Sequence, residues 1–141
     1  MSDDEKKLLL EELKLCNDDY KYRDQLLVTE FALSITAFGV GLNAANGAQD
    51  WTKLLIYLGL ALFLSLVAHH SGRVNQDRLA AGDRSNEIKK KLELVQTHGG
   101  YAKKRGGIRI PAPKAMVWFV WLSAASSALL ALVQLRSQLG A

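Results

Sequence analysis

The chain has 141 residues, room for one domain, with 49% hydrophobic residues and a net charge of +4. Its single cysteine, Cys16, excludes an internal disulfide framework and reads as a small apolar residue on a helix. The apolar residues are too clustered for an ordinary water-soluble domain. They fill three stretches, 26–45, 52–70 and 115–135, each about as long as the ~20 residues needed to cross a bilayer.

Residues 4–25 read as a cytosolic amphipathic helix with Leu9, Leu13, Cys16 and Tyr20 on one stripe, widened by Leu8, Leu10 and Leu15. Between Asp3 and Asp24 there are five bases and eight acids, a poor match to anionic lipid. Such a helix packs on another helix, within the chain or between subunits; the plainer alternative is a solvated leader to the first span. That span begins only at Leu26, behind this acidic region, which does not read as a cleaved signal peptide.

The first span, 26–45, carries one carboxylate, Glu30. Glu30, Ser34, Ala37 and Gly41 share a small or polar helix face, opposite Val28, Phe31, Ile35, Phe38 and Leu42. An ionisable residue within a span costs at least about 2.5 kcal/mol to bury in hydrocarbon, so it marks a functional position by default. The competing reading is that it reaches the headgroups or pairs with a nearby base. Asn46-Gly47 supplies turn chemistry for a short loop, and Trp51 stands where an interfacial aromatic belongs.

The second span has its own small stripe, Ala61, Ser65, Ala68 and Gly72. With Ser123/Ser127 and Ala124/Ala128 in the third span, this predicts close helix packing. Between them lies 73–114, with a helix expected over 74–97, ended by Gly99-Gly100, and a basic loop closed by Pro111 and Pro113. The expected fold is therefore all-α. It is an integral membrane domain of three transmembrane helices, an amphipathic N-terminal helix and a cytosolic helix.

Lysine and arginine counts set the expected orientation. Five precede the first span, Lys53 alone lies between the first two, eleven fall in 73–114, and Arg136 alone follows the third. The positive-inside rule puts the N-terminus and 73–114 in the cytoplasm and the C-terminus outside, in a multi-pass membrane protein. His69, His70 and Arg73 then share a depth with Glu30 and offer it partners.

The 73–114 segment carries eleven bases against four acids. It reads either as lipid-facing charge or as an anion site made of Arg73, Arg78, Arg84, Lys103, Lys104, Arg105 and Arg109. Its partner would be a nucleotide, an oligonucleotide or the acidic helix of a neighbouring copy. The stretch around Lys103 lacks the order of a P-loop. No metal or other cofactor is expected, because His69, His70 and His98 have no further ligand at metal spacing. No serine sits in a nucleophile elbow, so an enzyme is not expected.

The leading expectation is a homo-oligomeric membrane channel or pore gated from the cytoplasm, lined by Glu30, Ser34, Ala37, Phe38 and Gly41. The alternatives are a non-conducting anchor or assembly protein and a holin-like lysis protein. The Tyr20-Lys21-Tyr22-Arg23-Asp24 run entering the first span, the short N-terminal helix and the basic helix between spans resemble SLATT-type and Hailong-type effectors. These are bacterial antiviral membrane proteins, and the resemblance covers roughly 10–97, the third span being additional. It implies an inner-membrane effector that permeabilises the membrane when a cytosolic nucleotide or oligonucleotide signal appears.

Overall fold

The computed structural model describes residues 2–94 and 111–140, and these form three helices. They are α1 (Asp3–Asn46), α2 (Asp50–Lys91) and α3 (Ala112–Leu139). Each is long and apolar enough to cross a membrane.

Helix α1 starts on Ser2, whose hydroxyl accepts from the Glu5 backbone N–H at 3.2 Å, with Asp3, Asp4 and Glu5 favourably placed on the positive helix end. It runs without interruption through 44 residues, about 66 Å at 1.5 Å per residue. The amphipathic N-terminal helix expected over 4–25 is therefore not a separate element. It is the lower half of the same helix as the first span, because no proline or glycine breaks the ladder between Asp24 and Leu26. The same holds for α2, in which the expected 52–70 span and the 74–97 helix are one rod of 42 residues. Isolated Gly72 and Gly82 lower its helix propensity by only about 1 kcal/mol each. Described helix ends at Lys91, with Lys89, Lys90 and Lys91 facing the negative dipole end and Glu93 in the left-handed region at φ 55°. The expected stop at Gly99-Gly100 lies outside the described residues. Pro113 sits in the first turn of α3, where its missing N–H costs nothing.

The two long helices form an antiparallel hairpin in one heptad register. On α1, Leu13, Tyr20, Leu27, Ser34 and Gly41 recur every seven residues, all buried or half-buried. On α2, Tyr57, Leu64, Ser71, Arg78 and Ser85 do the same and are all buried. The register passes unchanged from the apolar half into the polar half.

Helix α3 covers only the apolar half. It begins level with 24–29, where Ala112, Pro113 and Met116 line a cleft against Asp24, Leu27 and Thr29. Phe31 and Phe119 meet edge to face at 5.4 Å. Val120 and Ala124 join Leu64 and Ala68 in one core cluster, with Ala131, Ala45, Leu54 and Tyr57 forming another near the hairpin turn. Buried Ser123 and Ser127 donate to the Phe119 and Ser123 carbonyls at 3.0 and 2.9 Å, so small residues close the interface without an unpaired hydroxyl. Gly41 has a close approach of its own. A Cβ there would lie 2.7–2.8 Å from Leu60 Cδ2 and Cγ.

The outward surface of this half is made of large apolar side chains, among them Leu33, Val40, Leu62, Leu66, Leu122 and Leu132. With leucines, a valine and small residues inside and bulky apolar side chains outside, this half is apolar on both its inner and outer faces. Below it, 3–23 and 75–91 extend as a two-helix stalk of about 30 Å.

Candidate functional site

The hairpin seam carries a ladder of polar groups that starts in the stalk and ends inside the apolar half. Lowest is Ser85, donating to Asn17 Oδ1 at 3.0 Å. Next comes Arg78, whose side chain is 7% exposed although an arginine on a polar helix ordinarily faces water. Its Nη1 donates to the Tyr20 hydroxyl at 2.5 Å and to Asp24 Oδ1 at 3.1 Å. Nε donates to Asn75 at 3.3 Å, and the guanidinium lies 4.9 Å from the centre of the Tyr20 ring. Tyr20 reaches this place over Gly82, where a Cβ would come within 3.3 Å of the ring.

Two further clusters lie on the open flank of the stalk. Arg84 donates to Glu12 at 2.7 Å and Glu87 at 3.1 Å. Arg23 bridges Asp19 and Asp77, both at 2.9 Å. The hydrogen bond from Arg84 holds the Glu12 carboxyl below the usual range, and those from Glu12 and Glu87 push the Arg84 guanidinium up. The hydrogen bond to Asp19 likewise raises Arg23.

The top of the ladder is Glu30. Its Oε2 accepts from Ser71 and its Oε1 meets His70 Nδ1, both at 2.5 Å. The Glu30 side chain is 13% exposed and the His70 ring 62%. Phe31, next in sequence and about 100° round the helix, points to α3. Glu30 and His70 therefore sit on the flank that α3 leaves open, level with the first turns of α3.

The expected lining residues are brought together, and within the chain most of them are closed by α2. Ser34 is fully buried, its hydroxyl donating to the Glu30 carbonyl at 2.7 Å. Phe38 packs against the Leu64 cluster, and Gly41 lies against Leu60. Ala37 is half-buried, so the open edge of this face is Glu30 with Ala37.

Among the described residues, the expected anion ligands Arg73, Arg78 and Arg84 do not form one site. Arg78 is enclosed by Tyr20 and Asp24, and Arg84 is engaged by two carboxylates. Arg73 is exposed, one turn from His70. Lys103, Lys104, Arg105 and Arg109, like His98, lie outside the described residues. Of the partners expected for Glu30, His70 makes the contact and His69 stands exposed.

Sequence reasoning missed Ser71 and the Tyr20–Arg78–Asp24 layer. The signal that finds them is the heptad register, since Ser71 and Arg78 follow Tyr57 and Leu64 at intervals of seven. No protein-family model, curated protein or solved structure matches the chain.

Proposed function

We propose that this chain is the subunit of a homo-oligomeric membrane channel gated from the cytoplasm, with Glu30 and His70 beside the ion path. One observation carries the reading: a carboxylate and a largely exposed imidazole share the open flank of a mainly apolar bundle. Lipid solvates such a pair poorly, at a cost of several kcal/mol. Copies arranged around this flank turn it into a ring of carboxylates lined by small residues such as Ala37, an environment suited to a cation.

The lysine and arginine distribution supports a cytoplasmic stalk in a multi-pass inner-membrane protein. Because stalk and spans are the same helices, a force on the stalk reaches Glu30 through about two helical turns of unbroken backbone. The basic 73–114 segment, with Arg73 and the Lys103–Arg109 bases, is the place for a nucleotide or oligonucleotide trigger. An antiviral effector role agrees with the resemblance to SLATT-type proteins.

The second reading is a non-conducting anchor or assembly protein. The closure of Ser34, Phe38 and Gly41 within the chain favours it. Cation flux from liposomes holding the purified protein separates the two. Flux that is reduced by Glu30→Gln supports the channel. Flux unchanged by Glu30→Gln removes Glu30 from the path, and no flux with any nucleotide or oligonucleotide leaves the anchor.

A further inference from the structure

Helix α1 carries a second apolar stripe that the hairpin does not use. Leu8, Leu15 and Tyr22 stand seven residues apart on the stalk and are 67%, 70% and 63% exposed. In a helix the neighbours of a surface residue are those three and four positions away. For Leu15 these are Glu11, Glu12, Asp18 and Asp19, and for Leu8 they are Asp4, Glu5, Glu11 and Glu12. Each leucine is thus surrounded by four carboxylates. Arg84 and Arg23 neutralise Glu12 and Asp19 in part. Among the described residues, Asp4, Glu5, Glu11 and Asp18 enter no salt bridge. Lys7, Lys14 and Lys21 lie about 100° away round the helix, beyond the acidic column.

We infer that this stripe is a docking face for a basic amphipathic helix of another protein. The partner would bear an apolar residue every seventh position with lysine or arginine on both sides of it. The periodicity is that of a coiled-coil seam, and positions flanking such a seam select partners by charge. The same charges turn away other occupants. The α1 of a second copy would bring carboxylates against carboxylates, while anionic lipid and nucleic acid are repelled. From Leu8 to Tyr22 the stripe runs about 21 Å, so a partner helix of about three heptads fills it. The inference does not depend on whether the chain conducts ions.

The test is a binding titration with the full chain in phosphatidylcholine nanodiscs. The probe is a synthetic peptide of about three heptads, with leucine seam positions and lysine flanks. Binding is expected, with the affinity falling steeply as salt rises. Leu15→Gln or Leu8→Gln should weaken it about tenfold or more, since each removes a buried leucine and, being at exposed sites, leaves the fold intact. The same peptide with glutamate flanks should not bind. Three results overturn the inference. One is equal affinity of the Leu8→Gln/Leu15→Gln variant or of the glutamate peptide. Another is binding only after Lys103, Lys104 and Arg105 are changed to alanine, which assigns the face to the chain's own basic segment. The third is a smaller oligomer on Leu15→Gln, which assigns it to a second copy.

Discussion

Arg78 and Asp24 form an ion pair with unequal surroundings, and the inequality predicts which half matters more. The arginine side chain is 7% exposed and the aspartate 43%. Removing one partner of a fully buried pair costs about 3–5 kcal/mol, because the remaining charge stays buried. Asp24→Asn leaves Arg78 in that position, though Tyr20 still accepts one of its N–H groups and water already reaches Asp24. The expected loss is therefore reduced to about 2 kcal/mol. Arg78→Met removes the buried charge and fills much the same volume, while the freed Asp24 turns into water. Its loss should stay within about 1 kcal/mol. Thermal unfolding in detergent, followed by helical circular dichroism, should lower Tm by about 4–8 °C for Asp24→Asn and by clearly less for Arg78→Met. An Arg78→Met loss equal to or larger than that of Asp24→Asn would refute the reasoning.

Gly41→Ile should destabilise the bundle by about 1–3 kcal/mol through overpacking against Leu60, and Leu60→Ala in the same chain should restore part of it. Thermal unfolding of the three variants checks the coupling. The Glu12 carboxyl is held low by the Arg84 hydrogen bond, so its contribution to the stalk is fully present above the ordinary glutamate pKa and fades as pH falls through the lowered one. Amide exchange near Leu13 should thus accelerate under acid in wild type, and Glu12→Gln should flatten that component. An identical acid response in both would count against the bridge. Ser85→Ala should leave Asn17 without its partner and loosen the stalk by about 1 kcal/mol, read from exchange in the same amides.

The three long apolar helices were legible because outward-facing and core positions alike are mostly apolar or small over 26–45, 52–70 and 115–135. Helix continuity was harder to read. A polar amphipathic helix and an apolar span differ in hydropathy, so Asp24-Gln25-Leu26 and the stretch from Ala68 to Val74 look like boundaries. Backbone geometry responds to breakers instead, and neither place has one strong enough to stop a helix. The small face of Glu30, Ser34, Ala37 and Gly41 was also legible, as was a histidine partner for Glu30. Which helix covers that face was not, because small residues suit a neighbour in the same chain and one in another equally well. Arg78 was read as a surface cation for the same reason that any helical arginine is. Only the register, which sets it between Ser71 and Ser85 on the hairpin seam, shows it turned inward.

The most direct test of the channel reading is the reversal potential across a planar bilayer under a salt gradient, for wild type and for Glu30→Lys. If carboxylates ring the path, wild type prefers cations and the charge reversal moves the reversal potential towards anion preference or abolishes current. Equal reversal potentials with undiminished current would contradict the placement of Glu30 beside the path.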